Sequence, residues 1–146
     1  MCEAIVPYYD EFGQNCTCVI LRDGSKVEFK MPIRTYVRQL FYALHINLAA
    51  RTQWITSILN KESGNPLLVN DEMVWIPVKF RKGVGSKDGC SGYVLKSAIK
   101  EVGDYTLVLA CQQRLTTLSK ANYIKDKQKD GQHLLYAYRD YYNLEP

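Results

Sequence analysis

The chain has 146 residues, 47% hydrophobic and 23% charged, with a formal net charge of +4. That is the composition of one globular domain, residues 1–146, long enough to bury a core without staples. It excludes a helical membrane protein, because no apolar run approaches the ~20 residues that span a bilayer.

The N-terminal MCEAIVPYYDEFG meets acidic residues at once and has no basic start. It is not read as a secretory signal, and cytoplasmic residence with no membrane contact is the expectation. Glu3–Tyr9 and Cys16–Arg22 read as strands. Asp23-Gly24 is a strong hairpin signal, and Lys26–Lys30 alternates as the returning strand. After Met31-Pro32 the period changes: Val37, Leu40, Phe41 and Leu44 lie at helical spacing, with Arg34 and Arg38 together on another face. Asn47 is placed to cap a second helix, which stops near residues 62–66. The joint at His45-Ile46 lacks glycine and the second helix has one arginine near its start, so a helix-turn-helix is not the preferred reading.

Leu67–Val69 and Met73–Phe80 form the next predicted hairpin, around Asn70-Asp71. A glycine-rich basic segment follows, which reads as a solvated loop or as a grip on a polyanion. Residues 92–102 read as one extended run, turned at Gly103-Asp104 into strands at Tyr105–Cys111 and Arg114–Leu118. Ser119 is expected to cap a lysine-rich closing segment that Gly131 interrupts, before a last helical stretch rich in tyrosine. The predicted fold class is α+β: a mostly antiparallel sheet with a helical pair inserted after the third strand and helix at the C-terminus.

Five cysteines at irregular spacing make a poor disulfide framework. Cys16-x-Cys18 lacks the gap usual for zinc, although Cys90 and Cys111 would complete a four-sulfur set; the preferred reading is small apolar side chains, with no metal and no cofactor. Phosphate-binding, nucleophile-elbow and metalloprotease motifs are missing, and the two histidines, His45 and His133, lie far apart. A non-catalytic protein is the expectation.

Charge is arranged in blocks. Residues 31–60 carry Arg34, Arg38 and Arg51 and no acid, where a solvated helix ordinarily mixes signs. Between Lys79 and Lys100 stand Lys79, Arg81, Lys82, Lys87, Lys96 and Lys100 against Asp88 alone. These nine basic residues are the candidate DNA contacts: the arginines on phosphates or in the minor groove, the 79–87 run on the backbone. Tyr36 and Trp54 lie among them and read as core or boundary residues ahead of base-stacking platforms. The alternative is a protein-interaction module, a decoy subunit or inhibitor of a nucleic-acid machine, whose exposed aromatics and net charge serve a protein surface. The C-terminal tyrosines Tyr136, Tyr138, Tyr141 and Tyr142 read as packing residues ahead of a dimer contact.

The order of features resembles the competence transcription factor ComK family of low-GC Gram-positive bacteria. AIVPYYDEFGQNCTCVILRDG is similar to that family's opening strand–turn–strand, with Pro7 and Gly13 in matching places. PLLVNDEMVWIP resembles its hairpin ending in aromatic-x-Pro, here Pro66 to Pro77. CSGYVLKSAIKEV is similar to its Cys-Gly-aromatic strand, here Cys90, Gly92, Tyr93, Lys100 and Glu101, with Ser91 inserted. FYALHINLAARTQWITSILNK resembles its central helical segment. The chain is shorter than the family pattern at both ends. The resemblance implies a transcription activator that binds AT-rich double-stranded DNA through the minor groove, as a homo-oligomer built from dimers, in contact with RNA polymerase.

Overall fold

The computed structural model describes residues 2–83 and 89–143. Six antiparallel strands make the main sheet: β1 Cys2–Tyr9, β2 Asn15–Leu21, β3 Lys26–Phe29, β4 Leu67–Leu68, β5 Val74–Lys79 and β6 Ser91–Leu95, in the order β3-β2-β1-β6-β5-β4. A second antiparallel sheet holds β7 Ile99–Gly103, β8 Thr106–Leu109 and β9 Arg114–Thr116. The described residues also form three α-helices: α1 Ile33–Ala43, α2 Leu48–Leu59 and α3 Ala121–Tyr141. The fold is α+β, as the sequence predicts. No helix among the described residues is long and apolar enough to cross a membrane.

Strand alternation divides the core between the two faces of the main sheet. Ala4, Ile76 and Val94 point to one face, where Leu107 and Leu109 of β8 and Ile124 of α3 cover them. Their neighbours Ile5, Trp75 and Leu95 point to the other, where Ile33, Val37 and Phe41 of α1 pack as an i, i+4, i+8 stripe. Beyond the β4 edge, Ile55 of α2 meets Leu134 and Leu135 of α3 over Leu68 and Val74. The two sheets are tied by a side chain the pattern does not advertise: buried Glu3 accepts from the Cys111 amide at 3.0 Å.

Four expectations need correction. The 92–102 run is not one strand: a 3₁₀ turn at Lys96–Ala98 carries the chain from the main sheet to the small one. Gly131 does not interrupt the last helix, which runs for 21 residues through it. A Cβ there would lie 3.0 Å from the Ile76 methyl and 3.3 Å from Val74, so the missing side chain lets the helix approach β5. Ser119 does not cap α3. Its Oγ accepts from the Lys79 amide, and Asp104 Oδ1 accepts from Ala121 N instead. The second helix also stops sooner than expected, at Asn60 in the left-handed region (φ 56°).

Candidate nucleic-acid interface

Pro32 precedes α1 in an extended conformation (φ −61°, ψ 153°) and offers no side-chain cap. The first amide bond that closes the helix is Tyr36 N to Pro32 O, at 3.1 Å. The first turn carries no acid and the last turn no base. Arg34 therefore adds a cation to the positive end of the helix dipole, the opposite of what stabilises an isolated helix. Arg38 follows one turn later, and both side chains are exposed, directly beside the buried stripe of Ile33 and Val37. Tyr36 is a packing residue, its ring tilted on Phe29 at 5.1 Å between centroids.

The stem between β5 and β6 reaches this end of α1. A Cβ on Gly89 would lie 3.0 Å from the Ile33 side chain, so the stem backbone rests on the first helical turn. The amides of Phe80 and Arg81 both donate to Cys90 O, at 2.9 and 3.3 Å. Lys79 pairs with Ser91 and alternates with Trp75 and Pro77, which places it on the face that carries α1. Lys82 leaves the stem exposed. Of the predicted cations, Arg34, Arg38 and Lys79 thus lie on the face that carries α1, and Lys82 is exposed on the stem that rests on its first turn.

The other five divide differently. Arg81 turns back on the chain: Nε donates to Gly89 O at 2.8 Å, Nη2 donates to Asn15 Oδ1 at 2.5 Å, and the guanidinium stands 4.1 Å over the Tyr9 ring. It is the post that fixes the stem to the β1–β2 hairpin. Arg51 also faces inward, with Nη1 donating to Leu68 O at 2.7 Å and Val69 O at 2.9 Å beneath Tyr138. Lys96 donates to Gln132 Oε1 at 3.0 Å on α3. Lys100 is exposed, but on the small sheet, across the main sheet from α1. Lys87 lies outside the described residues.

Between α1, α2, residues 62–67 and the start of β6 lies a groove of about 450 Å3, lined in part by Arg34, Arg38, Glu62, Asn65, Cys90 and Tyr93. Burial raises the Tyr93 phenol, so it is neutral at physiological pH. Burial also raises the thiols of Cys2, Cys18 and Cys111, which keeps them protonated. No three of His, Cys, Asp and Glu gather in a metal-binding group among the described residues. Asn65 and Tyr93 were not legible as site residues. Asn65 sits in a Ser-Gly-Asn-Pro run that reads only as a loop, and nothing in the strand pattern marks the face Tyr93 takes.

No family model, curated protein or solved structure matches the chain.

Proposed function

We propose that this chain is a non-catalytic DNA-binding regulator that holds duplex phosphates on Arg34, Arg38, Lys79 and Lys82. The observation that carries the reading is the first turn of α1. An uncapped positive helix end, an arginine on it, a second arginine one turn on and no carboxylate from residue 31 to 60 form a repulsive arrangement that an anion relieves. The resemblance to the ComK family adds the finer part: a preference for AT-rich duplex, whose narrow minor groove concentrates negative potential and draws in arginine. Oligomerisation and contact with RNA polymerase belong to the same proposal.

Fluorescence anisotropy of labelled AT-rich and GC-rich duplexes, titrated at several salt concentrations, tests it. The expected result is tighter binding to AT-rich duplex and a log–log salt slope of about −3 to −4 for four phosphate contacts. Lack of binding to either duplex at low salt would overturn it.

A second reading, the protein-interaction module, is favoured by one observation. Tyr136, Tyr141 and Tyr142 near the end of α3 are 62%, 70% and 55% exposed, and Tyr42 on α1 is 84% exposed. Aromatic side chains so placed are typical of protein contacts. Light scattering across a concentration series separates a self-associating chain from a monomer.

A further inference from the structure

The two edges of the main sheet are finished differently. At the β4 edge, α2 and α3 pack over Leu68, and the Arg51 guanidinium takes up the Leu68 and Val69 carbonyls. At the opposite edge stands β3, with Lys26, Val27 and Glu28 all exposed. Its pairing with β2 runs without a register shift, so it lacks the bulge that commonly blunts an open edge.

The ladder fixes which backbone groups this edge offers. Leu21 N donates to Ser25 O at 2.8 Å, and the register continues through Lys26 with Ile20, Val27 with Val19 and Phe29 with Thr17. Bonded and non-bonded pairs alternate along an antiparallel ladder. Val27 and Phe29 therefore exchange bonds with β2, while the N–H and C=O groups of Lys26 and Glu28 point outward. The side chains of Lys26 and Glu28 share the Cys18 face of the sheet. Phe29 takes the other face, where it meets Tyr36 of α1. No ion pair among the described residues engages Lys26 or Glu28.

Opposite charges two residues apart on an outward-bonding strand select one occupant. A second, antiparallel β3, related by a two-fold axis at Val27, sets Lys26 of each copy directly against Glu28 of the other. The outward N–H and C=O groups of both copies then find partners, and the two Val27 side chains meet at the axis. A slip of two residues keeps the bonding pattern but sets Lys26 against Lys26, or Glu28 against Glu28, which is repulsive. The charge order thus specifies the register as well as the partner.

We infer that β3 is a self-pairing edge: two copies of this chain join their main sheets through β3, antiparallel about Val27. The axis stands perpendicular to the joined sheet, so both α1 helices, with Arg34 and Arg38, lie on the same side of it. The inference deepens the proposed function, whose oligomerisation it rests on and supplies with an interface. Four residues of edge make a small contact, so the dimer is reversible and depends on concentration.

Sedimentation velocity of the full chain without DNA, from about 1 μM to 1 mM, measures the midpoint of dimerisation. Lys26→Glu makes both positions acidic and Glu28→Lys makes both basic, each on an exposed residue. Circular dichroism checks the fold, and Lys26→Asp or Glu28→Arg carries the same charge where a first choice unfolds. Each variant alone is expected to need about tenfold more protein to dimerise. Mixed in equal amounts, the two restore complementary pairs and are expected to form a mixed dimer near the wild-type midpoint.

Three results overturn the inference. Wild type stays monomeric throughout; or both folded variants dimerise as wild type does, which moves self-association to another surface, such as the exposed tyrosines of α3; or the folded variants stay monomeric when mixed. Duplex binding is read separately by anisotropy. A monomeric variant that still binds duplex keeps the phosphate grip, and a dimer that binds none keeps the β3 edge while removing the DNA-binding reading.

Discussion

Arg34 and Arg38 stand exposed on α1, whereas Arg51 and Arg81, equally prominent in the sequence, are turned onto the chain's own oxygens. The inward pair sits where backbone carbonyls are left over: Leu68 and Val69 at the end of the short β4, and Gly89 at the loop end of the β5–β6 hairpin. A guanidinium presents several donors in a fixed fork and so satisfies more than one acceptor from a single position. Being on a helix does not decide the matter: Arg51 is on α2 and reaches the carbonyls at the end of β4, whereas Arg34 and Arg38 on α1 make no such bond among the described residues. The difference teaches that a basic residue's use follows from the acceptors its own neighbourhood leaves unpaired. Net charge alone does not reveal it.

The comparison makes the two pairs separable by experiment. The largest effect is expected for Arg81→Ala, which removes two charged hydrogen bonds and the contact over Tyr9: a loss of about 3 kcal/mol of stability, or roughly 6–12 °C in Tm for a domain of this size. Arg51→Ala should cost about 2 kcal/mol, because the carbonyls of Leu68 and Val69 lose their shared donor. Urea unfolding followed by far-UV circular dichroism measures both. Unchanged midpoints would mean that neither arginine is a structural tie.

The outward pair should behave in the opposite way. Arg34→Ala with Arg38→Ala should leave the unfolding free energy within about 0.5 kcal/mol of wild type and make the salt slope for duplex binding shallower by about 1.8. The smallest effect is expected for Lys82→Ala, a change of about 0.9 in slope with no change in stability. A variant of the outward pair that unfolds early, or an inward variant that changes only the slope, breaks the division.

Much of the fold was legible because local and tertiary signals agree. Asp23-Gly24 turns a hairpin, Asn47 caps α2 by accepting from Ala50 N, and the Val37–Phe41 spacing buries one stripe of α1. The failures came where tertiary contact overrides a local signal. Gly131 reads as a helix breaker at about 1 kcal/mol against alanine, yet close packing on Ile76 and Val74 makes its lack of a side chain an asset. Residues 92–102 alternate well enough for one strand, and nothing local reports that two sheets share them. At the candidate site the acid-free helix was legible from charge alone. The inward turn of Arg81 was not, because its partners, Asn15 and Tyr9, lie on a hairpin remote in sequence.

The most direct test of the phosphate-gripping face compares wild type with two variants on one AT-rich duplex: Arg34→Ala with Arg38→Ala, and Arg51→Ala at a temperature where it remains folded. Affinity is measured by anisotropy from about 50 to 200 mM salt. The account predicts that the α1 double variant loses affinity and slope together while Arg51→Ala keeps the wild-type slope. An unchanged slope in the double variant, with wild-type affinity, would contradict it.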